Sequence, residues 1–219
     1  MDNATKFSGL SVRVVSGVVL ATMVLGVLWV GGFLFALLIV LAALQMLREW
    51  DFLTETEDAI WGLLGLFYVA IPCACLLWLR ETDIALVAYI LPVVWATDIG
   101  AYFSGRIIGG AKLAPAISPN KTWAGLGGGM TAAAIIGGIA HLYSPYPTTL
   151  LGAMALGAFM AILAQIGDLF ESWLKRRAGV KDSSSLIPGH GGLLDRVDGL
   201  MFTVPLFALL LSLFGAAAK

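Results

Sequence analysis

The sequence is short of charge. Of 219 residues only 27 are Asp, Glu, Lys or Arg, 13 basic and 14 acidic, while 59% are hydrophobic and the mean hydropathy is +0.92. A soluble globular domain carries roughly 25% charged residues, so this scarcity excludes both a disordered chain and an ordinary water-soluble enzyme. Cysteine is nearly absent: Cys73 and Cys75 lie inside one apolar run, too few and too close for a disulfide framework or a zinc site. There is no surplus of positive charge either. The net charge of −1 argues against a nucleic-acid partner, which would call for a basic surplus. Internal repeats, low-complexity stretches and a separable soluble domain are also missing.

What is present is a series of long uncharged runs. Residues 14–47 carry no charge, and at 1.5 Å per residue such a run is roughly 50 Å long, too much for one hydrocarbon core of ~30 Å. Gly31-Gly32 falls in its middle, which predicts two helices over about 12–30 and 33–48. A third span lies between Asp58 and Arg80, and a fourth over 84–105 with a single acid, Asp98. The next uncharged stretch, from Lys121 to Asp168, is broken by Ser144-Pro145-Tyr146-Pro147, a turn signal that makes spans five and six. The seventh runs from about 199 to 217. Lys6 and Arg13 precede an apolar stretch too long for a secretory signal, so the first helix is expected to be retained. The pattern predicts an all-α polytopic membrane protein of about seven helices. It forms one domain over 1–219, with N-terminal helices in 1–83 and catalytic helices and loops in 84–219.

Seven spans fix the alternation of the connecting segments. With the N-terminus inside, the inner segments hold Lys6, Arg13, Arg48, Arg106, Lys112, Lys121, Lys175, Arg176, Arg177, Lys181 and Arg196; the outer ones hold Arg80 and Lys219. Basic residues favour the cytoplasmic side. The expectation is a cytoplasmic (inner) membrane protein whose N-terminus and polar loops face the cytoplasm.

Fourteen of the 27 charges fall within residues 98–121 and 168–198, which is the charge density of a soluble enzyme. If span six stays helical to Arg176, then Asp168, Glu171, Ser172 and Lys175 share one face at its cytoplasmic end. Asp195 and Asp198 share a face at the start of span seven. Acids at membrane depth are kept when they pair or bind something, and two Asp-bearing helix ends suit Mg²⁺, which takes a few carboxylates plus substrate phosphates. Gly189-His190-Gly191-Gly192 can present successive amides as an anion nest. Carboxylates, cations and a Gly-rich turn are the parts of a phosphoryl-transfer site. The plainer reading is a solvated turn obeying the positive-inside rule.

The loop between spans four and five carries Arg106, Lys112 and Ser118-Pro119-Asn120-Lys121-Thr122-Trp123, a candidate cradle for a polyanion; alternatively, Asn120 or Thr122 simply caps span five. Lys121-Thr122 lacks the preceding glycines and strand of a P-loop. Asp98 lies about 12 Å into span four from Arg106 and needs a proton, a cation or a metal. Gly125–Gly129 suits close helix packing, His141 is given no role, and Trp29, Trp50, Trp61 and Trp78 suit interfacial belts.

The run from Ser172 to Asp198 resembles the signature of phosphatidate cytidylyltransferases (CDP-diacylglycerol synthases). The matching residues are Ser172, Lys175-Arg176, Lys181-Asp182, Pro188, His190-Gly191-Gly192, Asp195-Arg196 and Asp198. Asp98, Ala101-Tyr102, Gly105-Arg106 and Ser118-Pro119 with Lys121-Thr122-Trp123 also look like that family, so the likeness covers about 90–205. Two departures stand out: Ala124 replaces an acid common after Thr-Trp, and the chain is shorter than expected by one or two N-terminal spans. The resemblance implies conversion of CTP and phosphatidate, held in the bilayer, to CDP-diacylglycerol and pyrophosphate, by a homodimer. It implies Mg²⁺, with a second cation as an option, on Asp168 and Asp195, with Asp198 and Asp98 in support or at the second ion. Lys175, Arg176, Lys181 and Arg196 would then neutralise phosphates. Ser118, Lys121, Thr122 and Ser172 would contact substrate, and His190, Gly191 and Gly192 would shape the nest or meet pyrophosphate. Alternatives are a CTP-using kinase or cytidylyltransferase for a polyprenol, phytol or archaeal lipid. More distant is a proton-coupled transporter using Asp98 and Asp168, although transporters favour midplane sites with repeat symmetry.

Overall fold

The computed structural model of the chain describes residues 3–55, 58–143, 149–187 and 189–214. Seven helices are present among them: α1 (Asn3–Val30), α2 (Gly32–Thr54), α3 (Ala59–Thr82), α4 (Ile84–Ile107), α5 (Trp123–His141), α6 (Leu150–Arg177) and α7 (Leu194–Phe214). Among the described residues six of these, α2 to α7, are long and apolar enough to cross a membrane, and α1 adds a shorter apolar run over Gly17–Val30. The chain is an integral membrane protein of the helical class. The Pro-rich break at Ser144–Pro147 lies outside the described residues, as does Pro188.

Helix starts follow from side-chain caps. Asp83 accepts from the Ala85 amide at 2.8 Å, and Thr122 and Thr149 accept from Gly125 and Gly152 at 3.0 Å; each satisfies an amide that the first turn leaves free. Thr122 is therefore the cap of α5. Gly31 separates α1 from α2, and Arg80 of α3 reaches across to donate to the Leu28 and Trp29 carbonyls at 2.7 and 3.1 Å. A cation on the last carbonyls of α1 suits that helix end both by hydrogen bonding and by dipole.

One expectation needs correction: α2 runs to Thr54 rather than stopping near residue 48. Met46, Trp50 and Leu53 continue one buried stripe, so the apolar period carries Arg48, Glu49 and Asp51 into the helix. The same stripe removes Trp50 from any interfacial belt. It is 1% exposed, its indole N–H donates to the Trp61 carbonyl at 2.9 Å, and its ring lies 5.0 Å from Tyr68. Trp29, by contrast, is 78% exposed on the outside of the bundle.

The all-α reading holds, with one local addition. Lys112–Ala114 (β1) and Ser118–Thr122 (β2) form a small antiparallel hairpin. Its turn is closed by the Ile117 amide on the Ala114 carbonyl at 3.1 Å. Pro115 stands at the second turn position, where its fixed φ is favourable.

α4 lies against α5, α5 against α6, and α6 against α7. The α4–α5 approach depends on Gly129, where a Cβ would stand 2.9 Å from the Thr97 carbonyl, the small-residue contact that the glycine cluster predicted. One apolar core, including Leu79, Ile90, Val93, Met160, Ala161 and Val204, fills the middle of the bundle. A second, built on Met46, Trp50, Leu53, Val69, Leu174, Leu194 and Met201, lies toward one end. Tyr68, Phe170 and Phe202 pack against it, with Phe170 5.2 Å from Tyr68 and 5.8 Å from Phe202. Because successive helices alternate in direction, the ends of α2, α4 and α6 and the starts of α3, α5 and α7 meet at that end. The hairpin and the 178–193 loop are there as well.

Candidate functional site

α6 supplies the floor of the site. Its helical spacing places Asp168, Glu171, Ser172 and Lys175 on one face, as the sequence predicted. The Ser172 hydroxyl donates to Asp168 at 3.3 Å, and Lys175 Nζ stands 3.4 Å from Glu171 Oε1. Asp195, in the first turn of α7, receives Lys175 Nζ on Oδ1 at 2.5 Å. The β2 hairpin strand delivers Lys121 to Asp168, with which it forms an ion pair. From α4, Asp98 lies within electrostatic reach of Asp168, Lys121 and Arg196. From α7, Asp198 is within reach of Asp168, Asp98 and Glu171. Residues from four separate elements thus converge.

The acids fall into two kinds. Asp195 is saturated: Oδ2 accepts the Ser183 amide at 2.8 Å, the Ser183 hydroxyl at 2.9 Å and the Gly192 amide at 2.8 Å, in addition to Lys175 on Oδ1. Glu171 is the opposite. Its side chain is 1% exposed, neither oxygen accepts a hydrogen bond, and Asp195 and Asp198 crowd it. The buried hydroxyl of Tyr68 also lacks a hydrogen-bond partner and lies within electrostatic reach of Glu171 and Asp198. Burying a carboxylate costs several kcal/mol unless donors or cations meet it. The acids Asp98, Asp168, Glu171 and Asp198 outnumber the cations Lys121, Lys175 and Arg196 that stand among them.

The Gly-rich turn does present its amides, but to the chain's own carboxylates. The Gly192 amide goes to Asp195, while the Leu193 and Leu194 amides donate to Glu49 at 2.9 and 2.8 Å. The His190 amide is used by the Ile187 carbonyl at 2.9 Å, and its ring lies beside Gly17 of α1. Gly191 stands at φ +82, next to Asp195 and Asp182. Within the turn the His190 and Gly192 amides are thus engaged inside the chain.

Glu49 is the residue that sequence reasoning passed over. With the second helix read to end near residue 48, it was given no role. It is buried on α2 and accepts from Gln45, Ser183, Ser184, Leu193 and Leu194. A signal was available: Met46, Glu49, Trp50 and Leu53 fall at i, i+3, i+4 and i+7, one acid inside an apolar stripe.

The cations are more dispersed. Arg176 donates to the Ile117 carbonyl at 3.3 Å, tying α6 to the hairpin, and to Val180 at 3.4 Å. Arg106 donates to Tyr102 at 2.8 Å on the exposed side of α4. Lys181 is exposed, and Arg177 stacks on Trp61 with its guanidinium 4.1 Å from the ring centre. Ser118 pairs through its backbone with Ala114 at the hairpin turn.

Among the described residues no group of three or more His, Cys, Asp or Glu side chains is drawn together closely enough to hold a metal. The donor chemistry nonetheless suits a hard divalent cation. Mg²⁺ is usually held by one or two carboxylates with water and substrate phosphates completing the shell, and both Glu171 oxygens accept no hydrogen bond here.

Fold and site together define a polytopic α-helical membrane protein whose ionisable side chains gather at one end of the bundle. Residues 51–214 match the cytidylyltransferase family. The chain is 37% identical to a phosphatidate cytidylyltransferase of Brucella suis biovar 1 (strain 1330), over 95% of this chain and 94% of that one. It is also 37% identical to a phosphatidate cytidylyltransferase of Rickettsia bellii (strain RML369-C), over 91% of this chain and 89% of the relative. The chain belongs to the cytidylyltransferase family.

Proposed function

We propose that the protein transfers the cytidylyl group of CTP to phosphatidate, giving CDP-diacylglycerol and pyrophosphate. The carrying observation is a full-length relationship to phosphatidate cytidylyltransferases in a chain whose carboxylates and cations meet at one end of an apolar bundle. A phosphatidate oxygen forms a bond to the α-phosphorus of CTP, the bond from that phosphorus to the bridging oxygen breaks, and pyrophosphate leaves with the electron pair. A phosphate monoester has its second pKa near 6 and is mostly a dianion at neutral pH, so no general base is required. The obstacle is repulsion between anions.

Asp168 and Asp198, with Asp98, are the residues to hold Mg²⁺, and Glu171 is the reserve for a second cation. When bound, Mg²⁺ supplies positive charge at the transferring phosphoryl group. Asp195 joins these acids as a ligand when Lys175 releases Oδ1, as Asp168 does when Lys121 releases Oδ2; Asp195 also fixes Lys175 and the loop. Lys121, Lys175, Arg176, Lys181 and Arg196 neutralise substrate phosphates, and Ser118, Ser172 and Thr122 line their approach. With α1 as a seventh span, the basic residues at this end support an orientation in which it faces the cytoplasm from the inner membrane, where CTP is available. The diacyl tails stay in the bilayer and only the headgroup reaches the helix ends. A homodimer is the expected assembly.

Purified protein incubated with α-labelled CTP, phosphatidate and Mg²⁺ should move label into lipid, and EDTA should abolish the transfer. Label confined to nucleotide, with γ-label entering lipid instead, would overturn the reading in favour of a lipid kinase.

A further inference from the structure

Glu49 lies two residues before the segment matched by the family and on a helix that sequence reasoning treated as generic. A carboxylate buried this deeply in a membrane helix persists only if donors surround it. Four of its five donors come from the stretch between α6 and α7: Ser183 Oγ at 3.0 Å, Ser184 Oγ at 2.7 Å, and the Leu193 and Leu194 amides. The contact is close enough to dictate sequence. A Cβ on Gly192 would collide with Ser183 Oγ and stand 2.7 Å from Glu49 Oε2.

Ser183 makes the connection to the reacting end. Its hydroxyl lies 3.0 Å from Glu49 Oε2 and 2.9 Å from Asp195 Oδ2. A hydroxyl has one proton, so the two carboxylates share a single donor and neither can shift without altering the other. Asp195 in turn holds Lys175, which faces Glu171.

We propose that Glu49 is a positioning residue for cytidylyl transfer. It clamps the Ser183–Leu194 loop to α2 and, through Ser183 and Asp195, sets the placement of Lys175. This rests on the proposed reaction. Glu49 touches no substrate; it controls turnover by fixing groups that do, and it makes α2 part of the enzyme.

The test uses the full chain in detergent with α-labelled CTP, phosphatidate and Mg²⁺, comparing Glu49→Gln, Ser183→Ala, Lys121→Ala and the double variants. Glu49→Gln conserves shape but turns an amide toward backbone donors. Misplacing a catalytic group by about 1 Å can cost about a hundredfold. The expected kcat is therefore down roughly ten- to a hundredfold, with KM for CTP within about threefold of wild type. Adding Ser183→Ala should cost little more, because both act through one contact, whereas adding Lys121→Ala should multiply the losses. A wild-type kcat in Glu49→Gln, or Glu49 and Ser183 losses that multiply, would overturn the proposal. If Glu49→Gln does not fold, Ser184→Ala removes one donor from Oε1. A kcat lowered severalfold with KM unchanged then supports the clamp, and an unchanged kcat overturns it. Failure of the wild-type chain to label lipid would refute the reaction itself, a separate outcome.

Discussion

The two halves of the carboxylate site are built on opposite terms. On the α2–loop side, Glu49 and Asp195 meet amides, hydroxyls and one ammonium that occupy both oxygens of each. On the α4–α6–α7 side, Asp98, Asp168, Glu171 and Asp198 face one another, with Lys121 on Asp168 and Lys175 at the edge of Glu171. Satisfied carboxylates hold backbone in place. Under-compensated ones store an affinity for positive charge, at a standing cost in stability. The contrast separates what shapes this site from what the site is there to bind.

Removing an acid from each half should therefore do different things. The largest effect expected is on turnover in Asp168→Asn. Losing the oxygen and charge proposed to hold Mg²⁺ at the phosphoryl centre should lower kcat by roughly a hundred- to a thousandfold, with thermal unfolding of the detergent-solubilised protein little changed. Lys121 Nζ is buried, but Asn keeps one side-chain oxygen for it, and losing one like charge beside Asp98 and Asp198 offsets part of the lost ion pair. If Asp168→Asn unfolded the protein instead, the two halves would not differ as argued.

Next in size is Lys175→Met, which tests the joint between them. It strips the ammonium from Asp195 and Glu171, whose side chains are 3% and 1% exposed. Breaking a buried pair by removing one partner typically costs about 3–5 kcal/mol, because a charge is left uncompensated. The expected result is a clear drop in the unfolding midpoint, measured in the same detergent, alongside lost activity. A variant that kept its stability would show that solvent already compensates these acids.

How much of this was legible beforehand depended on period and range. The spans, the Gly31-Gly32 turn and the shared face of Asp168, Glu171, Ser172 and Lys175 followed from local rules, since charge-free length and the i, i+3, i+4 spacing act within one helix. The hairpin did not. Its strands are three and five residues long, with no alternation to see, and only Pro115 marked the turn. Glu49 was hidden for a different reason. Its donors lie 134 to 145 residues away, apart from Gln45, and a long-range hydrogen bond leaves no spacing in a sequence. The same gap explains the nest. The glycines signalled that amides would be exposed, but only the fold could show that Asp195 takes that of Gly192 and Glu49 those of Leu193 and Leu194 just beyond.

The smallest effect is also the sharpest probe of the contrast, because its sign differs from the rest. Glu171 has two buried oxygens without a donor and acidic neighbours in Asp195 and Asp198. Glu171→Gln conserves volume, removes the charge, and adds an N–H₂ facing carboxylates able to accept from it. Neutralising an under-compensated buried charge is often neutral or stabilising by about 1 kcal/mol or more. The expectation is an unfolding midpoint equal to or slightly above wild type when Mg²⁺ is absent. Asp195, already saturated, should behave oppositely: the same Asn exchange there puts an amide against the Ser183 and Gly192 donors and should destabilise. Parallel melts of Glu171→Gln and Asp195→Asn check the point directly. Two destabilised proteins would mean that Glu171 is a structural anchor like Asp195, and the division of the site into a satisfied and a charge-hungry half would fall.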